Sequence, residues 1–484
     1  MTAVPVPRSR RPLFQLAVLG TVLVVATGAA TSGLSAKLTL PVLLVAGILV
    51  VAGRKVLSLN GVIWIVLLDV LFVPVTRYKF PVHLPFDLDP YRVVVGGLVL
   101  AWLAALLVDP SVRPRRSDFR ACVALVLGVA LASEVANHAR VSPISSHVIK
   151  DFTYFVAYVL LFCVLVSLVR SRRDVDRIVR VLVGGGSIVA VCAVIESRTG
   201  FNPFDHLHSL IPILQYYNAQ DLTRGGHFRA LASADHPIAL SAMLVCVLPL
   251  AVYLCRTRGK IWWLATFALV VGNLATASRT GIVMLAVVVL VYVWLRWKEM
   301  RRLWPALVPA LIAVHFAVPG ALGGIYASFA PGSNLVSSQQ GTPGLENGRL
   351  SHYWRARAVL ETDPLFGHGY GTRITGVGTP GANSPVFDNE WLDTIVDTGL
   401  AGVFAWLFFF GRVVTRFGRD GKRDQSARGW LLVGVCASLL AFGVGMFFYD
   451  AFSFTQVTAV FWIIVAIGVA ARRLSPSEFS AAAA

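Results

Sequence analysis

The sequence predicts an all-α fold: a polytopic membrane helix bundle of about fourteen transmembrane helices, with one long helical extracytoplasmic loop. Three observations predict it. Hydrophobic residues make up 56% of the 484, charged residues only 14%, and the mean hydropathy is +0.70; soluble domains carry about 25% charged residues. Apolar runs of about twenty residues, the length that crosses a bilayer, recur along the chain. Every second loop between them is loaded with Arg and Lys, the mark of cytoplasmic loops.

The expected spans are 13–30, 38–53, 58–75, 92–108, 119–136, 148–169, 178–196, 238–254, 261–277, 280–297, 303–320, 391–411, 429–449 and 452–471. The basic clusters begin at Arg8/Arg10/Arg11 and continue through Arg54/Lys55, Arg113–Arg120 and Arg170–Arg180. They go on through Arg256/Arg258/Lys260, Arg296–Arg302 and Arg412–Arg428 to Arg472/Arg473. That alternation puts both termini in the cytoplasm. The first span reads as an uncleaved anchor in preference to a cleaved signal peptide, and cleavage would turn no other loop over.

The net charge of +18 would suit nucleic acid. Its placement in short loops makes it an orientation signal instead, so the bilayer is the expected partner and nucleic acid is not. Six cysteines (Cys122, Cys163, Cys192, Cys246, Cys255 and Cys436) fall in or beside apolar runs with no metal-ligand spacing, as small core residues do.

Three outer loops matter. Loop 76–91 holds Asp87 and Asp89, a weak D-x-D metal signal. Loop 197–237 holds His206, His208, Arg224 and Arg229. Loop 321–390 is long and rich in Gly and Pro, and loops of that length are usually functional or disordered. An amphipathic helix is expected near 349–361, with Tyr353, Trp354, Ala358 and Val359 among arginines.

The residues that look chemical lie at this outer face. Arg279, in Ala-Ser-Arg-Thr-Gly, sits where almost nothing polar separates two spans. It is either a phosphate ligand, for which a planar guanidinium is suited, or an arginine snorkelling to the interface. Arg349 opens the loop helix as a second phosphate ligand or a solvated cation. Arg229 precedes Asp235-His236-Pro237, where Asp235 or His236 can cap the helix, Asp235 being the expected cap and His236 a site candidate.

Asp388 and Asn389 begin the 391–411 span. Glu390, Asp393 and Asp397 follow at i, i+3 and i+7, on one helical face. The macrodipole explains Asp388 and Glu390 and leaves Asp397, two turns inside, without a reason. Gly367-His368-Gly369-Tyr370-Gly371 has no preceding strand, so it is a tight turn and not a nucleotide loop, with His368 a further base candidate. Asp69 and Glu134, in or near spans, are candidates to pair with an arginine.

Four elements together resemble the O-antigen ligase/O-antigen polymerase superfamily of bacterial membrane glycosyltransferases. They are Arg229…Asp235-His236-Pro237; Ser278-Arg279-Thr280-Gly281; Arg349…Trp354…Asp363-Pro-Leu-Phe-Gly-His-Gly369; and Asp388-Asn389 followed by Gly399-Leu-Ala-Gly402. The last resembles the ligase motif His-[Asn/Ser/Gln]-x9-Gly-x-x-[Gly/Thr/Tyr], with Asp388 where the family has its base histidine. The resemblance implies a catalytic core over 229–405, including loop 321–390. N-terminal helices (1–228) and C-terminal helices with a tail (406–484) flank it.

It implies a metal-independent, cofactor-free, inverting transfer of a glycan from a polyprenyl-diphosphate carrier, in polysaccharide biosynthesis at the cell envelope. The acceptor would be the hydroxyl of a glycan, lipid or protein. The site would face outward from the cytoplasmic (inner) membrane, where ATP and sugar nucleotides are not direct reactants. Arg279, Arg349, Arg229 and His236 would hold the diphosphate, and Asp388, Glu390 or His368 would take the acceptor proton. A polymerase differs only in using a second carrier-linked chain as acceptor. A lipid-linked oligosaccharide transporter would spread its charges along a path through the bilayer, whereas here they crowd at one face. A polyprenyl-monophosphate-sugar transferase would place its acids in the first large outer loop, and a scaffold would need none of these groups.

Overall fold

A computed structural model of the protein describes residues 59–81, 89–108, 117–212, 214–217, 223–224, 227–302, 349–372 and 388–480, with positions 305 and 312. These residues are mostly helical. In chain order the long helices are α1 (Leu59–Phe72), α2 (Pro90–Val108), α3 (Arg120–Ala136), α4 (Ser145–Leu168), α5 (Arg172–Thr199) and α6 (Pro237–Thr257). They continue with α7 (Trp262–Ala275), α8 (Arg279–Leu295), α9 (Arg349–Thr362), α10 (Glu390–Arg423), α11 (Ala427–Gly445) and α12 (Thr455–Arg473). Helix occupies each expected span that falls within the described residues. The expected spans 13–30 and 38–53 lie outside them, as does almost all of 303–320.

Six helices among the described residues are long and apolar enough to cross a membrane: His138–Leu168, Arg172–Thr199, Pro237–Thr257, Glu390–Arg423, Ala427–Gly445 and Thr455–Arg473. Shorter apolar helices cover Ile63–Phe72, Pro90–Leu103, Trp262–Ala275 and Arg279–Leu295. The expected count of about fourteen rests partly on such shorter segments, whose ends are polar turns.

Local signals explain the helix ends. Ser171 accepts from Asp174 N and Asp174 answers Ser171 N, a capping box that starts α5, and Gly200 ends it at φ 72°. Ser278 and Ser426 cap α8 and α11 through their hydroxyls. Helix α10 runs on to Arg423, past the expected end at 411, because its last turns carry Lys422 and Arg423 beneath the helix dipole.

Helices α6 and α12 are almost wholly enclosed by the others. Against them pack α11, α7, α10 and α4, while α3 lies on α10 and α5 on α7. In lipid, packing and interhelical hydrogen bonds hold a bundle together more than hydrophobic transfer does. Accordingly, Ser438 Oγ donates to the Cys246 carbonyl at 2.6 Å, and Gln456 Nε2 donates to the Val70 carbonyl and to Ser233 Oγ, both at 3.0 Å. Phe442 stacks on Phe461 with centroids 4.3 Å apart. All six cysteines are free and sit buried or half-buried, as core residues.

The bundle has two chemically distinct ends. At one, the basic loops interlock. Asp176 takes Arg172 (3.3 Å), Arg258 and the Tyr253 hydroxyl (2.6 Å). Arg472 bridges Asp420 (2.6 Å) and Asp118 (2.9 Å). Arg296 donates to the carbonyls of Gly421 and Asp424 at 2.7 and 2.6 Å. The opposite end gathers the motif segments. There Tyr78–Lys79 pairs antiparallel with Gln215–Tyr216, and Arg77 meets Asp205 at 2.7 Å.

Some expectations are corrected by these contacts. Asp89 caps α2: its Oδ1 accepts from Arg92 N at 2.9 Å, and the Tyr154 hydroxyl donates to its other oxygen. Asp87 lies outside the described residues. Among the described residues neither Asp69 nor Glu134 is ion-paired to an arginine. Helix α9 forms as expected, but it packs through Ala356 and Val359 on Leu392 and Val396, leaving Tyr353 and Ala358 exposed. Of the expected apolar residues, Val359 lies on the face that meets α10, while Tyr353 and Ala358 do not.

Candidate active site

The first arginine is positioned by backbone. Ala230 N donates to the Ala275 carbonyl at 3.4 Å and Arg229 Nε to the Thr276 carbonyl at 3.3 Å. This lays Arg229 against the turn that leads into α8. Arg279 is the first residue of α8, directly after its cap Ser278, whose hydroxyl accepts from Gly281 N at 3.3 Å. Ala277, before the cap, adopts φ 48° to make the turn. Arg229 is thus hydrogen-bonded to the short turn that Arg279 follows, three residues after Thr276 and at the positive end of a helix.

His236, not Asp235, caps α6: its Nδ1 accepts from Ile238 N at 3.2 Å. Asp235 turns away to Thr76, accepting from its N at 3.2 Å and its hydroxyl at 2.6 Å. A partner from another segment outbid the local cap. The His236 ring stacks on Phe454, centroids 5.7 Å apart, and Phe454 meets Tyr449 at 6.1 Å.

The same turn, 446–454, holds the start of α10. Glu390 N donates to the carbonyls of Met446 (2.8 Å) and Tyr449 (3.2 Å), and Glu390 Oε2 accepts from Phe452 N at 2.9 Å. Asn389 caps the helix, its Oδ1 accepting from Trp391 N (3.0 Å) and Leu392 N (3.3 Å). Asp388 is half-buried one residue earlier. The 446–454 turn therefore joins His236, Glu390 and, through the chain, Asp388. Arg349 opens α9, and its side chain lies outside the described residues.

Glu390 is buried, and the bond from Phe452 N to its carboxylate ties the start of α10 to the turn. Asp397 answers the question its position raised: its Oδ2 accepts from Gly371 N at 3.0 Å, and its carbonyl accepts from Ser133 Oγ at 2.6 Å. Glu390, Thr394, Asp397, Tyr370 and Phe452 line a small cleft between α3, α4 and α10.

The turn 363–372 is spliced into a break in α10. Gly399 has φ 64° and ψ −159°, which interrupts the helix hydrogen bonds. The turn supplies the missing partners: His368 N and Gly369 N donate to the carbonyls of Val396 (2.8 Å) and Asp397 (3.1 Å). Leu400 N and Ala401 N donate back to Pro364 (2.9 Å) and Leu365 (3.1 Å). Sequence reading made this a tight turn, and the structure docks it on the break in the middle of α10.

His368 stands in a separate, partly exposed group beside this break. Its Nε2 is 3.5 Å from Asp363 Oδ2, which also accepts from Arg140 at 2.7 Å. The Arg140 hydrogen bond holds the Asp363 carboxyl below the usual carboxylate range. Burial first, and the Arg140 charge second, push the His368 imidazole below its ordinary value against the pull of Asp363. His368 is therefore neutral at neutral pH.

Sequence reasoning missed Glu196, whose carboxyl anchors the Arg229 segment. The signal was there: an acid in the last turn of α5 opposes the helix dipole and needs a specific partner.

The family model described as O-antigen ligase matches residues 264–407. That stretch takes in Arg279, Arg349, His368, Asp388 and the Gly399 break, and it leaves Arg229 and His236 upstream. None of the curated proteins matches the chain in sequence. The match supports an O-antigen ligase or polymerase type of function, that of a glycosyltransferase-like membrane enzyme with lipid-linked glycan substrates. With its apolar helices, the chain is a multi-pass membrane protein, and the match over residues 264–407 supports its membership of the O-antigen ligase superfamily.

Proposed function

We propose that the protein transfers a glycan from a polyprenyl-diphosphate carrier to an acceptor hydroxyl at the outer face of the cytoplasmic membrane. The observation that carries this reading is the hydrogen bond from Arg229 to Thr276, which ties it to the turn 276–278 that leads into Arg279. As the bond from the anomeric carbon to the carrier oxygen breaks, its electron pair passes to the diphosphate. Guanidinium forks already in place stabilise that growing charge without reorganising. Arg349, at the head of α9, is the third ligand in this reading.

The acceptor oxygen attacks the anomeric carbon from the opposite side, which inverts it, and its proton goes to a base. Asp388 is that base, standing where the ligase motif has histidine and joined through Glu390 to the turn that also carries the His236 stack. Glu390 is left to position, because its carboxylate already accepts from Phe452 N. His236 borders the diphosphate. The collection of basic loops at the far end of the bundle supports an outward-facing site. A polymerase would share every one of these steps and differ in its acceptor.

The test is a cell that depends on this protein for its glycan. Arg279→Ala should leave lipid-linked precursor to accumulate and product to fall. Normal glycan with no accumulated precursor would remove Arg279 from the diphosphate site.

A further inference from the structure

The segment that presents Arg229 is built around a buried carboxyl group, that of Glu196. Glu196 Oε2 accepts from two successive backbone groups, Leu231 N at 3.1 Å and Ala232 N at 2.6 Å. Asn202 Nδ2 donates to the other oxygen at 3.2 Å and to the Ala232 carbonyl at 3.0 Å. Ala232 is held at φ 42°, a left-handed conformation that an alanine adopts only under constraint. Successive N–H groups converging at such a residue make a concavity that binds anions. Here a carboxyl group of the same chain, 7% exposed, fills it from within.

The neighbouring residues are pinned from other directions. Gln456 reaches Ser233 Oγ at 3.0 Å, Arg77 donates to the Ala234 carbonyl and pairs with Asp205, and Thr76 holds Asp235. Glu196 is thus one face of a rigid mould whose product is the path of the chain just after Arg229.

We propose that Glu196 is a positioning residue for donor binding: by occupying the concavity of residues 231–232 it fixes Arg229 beside Arg279. It also denies the concavity to the substrate's diphosphate, which must then be met by guanidinium groups. The inference rests on the reading of Arg229 and Arg279 as diphosphate ligands.

The experiment measures binding of farnesyl diphosphate to the full-length protein, purified in detergent, for wild type, Glu196→Ala, Glu196→Gln and Arg279→Ala. Glu196→Ala should raise Kd about tenfold, one decade of binding. Glu196→Gln keeps an acceptor for the two backbone groups but turns a donor toward Asn202, so it should weaken binding less while melting close to wild type. Where Glu196→Ala fails to fold, Glu196→Gln decides: a raised Kd in folded protein supports the proposal.

Wild-type affinity in either Glu196 variant that folds, with Arg279→Ala impaired, overturns the proposal and leaves the diphosphate reading standing. A Glu196→Gln protein that melts lower yet binds as wild type also overturns it, since its role is then stability alone. Wild-type affinity in Arg279→Ala, or no binding by wild type, brings down the diphosphate reading and this inference with it.

Discussion

Gly367 and Gly399 meet backbone to backbone at the break in α10. A Cβ on Gly367 would lie 2.5 Å from the Val396 carbonyl oxygen, and one on Gly399 would lie 2.6 Å from the Leu365 carbonyl. Both have positive φ, 61° and 64°. Spacing that resembles a family motif is therefore also a packing requirement: the helix can open only where neither chain carries a side chain.

Substituting either glycine should be costly for that reason. Gly399→Ala adds backbone strain of about 1–3 kcal/mol, because φ 64° with ψ −159° is a region essentially reserved for glycine, and an overlap of about 1–3 kcal/mol more. The expected outcome is a melting temperature in detergent lowered by many degrees, with Gly367→Ala similar. Unchanged melting in both would show that the break in α10 does not depend on this contact.

Asp388 and Glu390 separate chemistry from support. Asp388→Asn should abolish most transfer while leaving folding intact, since the cap belongs to Asn389. Glu390→Gln retains an oxygen to accept from Phe452 N, so it should keep a substantial part of the activity and lose some stability. Full transfer by Asp388→Asn would remove Asp388 as the base.

The Arg140–Asp363–His368 group predicts a pH response. The folded imidazole binds its proton less readily than an unfolded one, so the unfolded chain takes up protons first as pH falls. The contribution of His368 to stability is present above the ordinary imidazole range and is lost on acidification through it. His368→Gln should flatten that part of the stability profile. Nuclear magnetic resonance titration of the His368 ring should show a midpoint below the ordinary value, moving up in Arg140→Met as the neighbouring cation is removed. A midpoint unmoved by Arg140→Met would contradict the assignment.

Much of the fold could be read from the chain because membrane helices are set by local quantities. Run length and charge placement put helices where α4, α5, α6 and α12 stand, and Asn389 and Gly200 mark ends that depend on few neighbours. What failed depended on distant partners. Asp235 looked like the cap until Thr76, far back in the chain, claimed it. On α9, Val359 is legible as apolar-facing, but the exposure of Tyr353 and Ala358 was set by contact with α10. Gly399 resembled a motif glycine, yet nothing local says that a helix opens there. The same holds for the site: Arg229 and Arg279 were legible as candidates, while the turn that joins them and the Glu196 mould behind Arg229 needed coordinates.

Transfer by purified protein in detergent, with a polyprenyl-diphosphate-linked glycan as donor and no nucleotide present, tests the central claim most directly. Wild type should form a new glycosidic bond, and Arg279→Ala and Arg229→Ala should each lower the rate by about 10²-fold or more, the usual cost of removing a preorganised charge-stabilising donor. Equal rates in wild type and both variants would contradict the proposal that these two arginines hold the departing diphosphate.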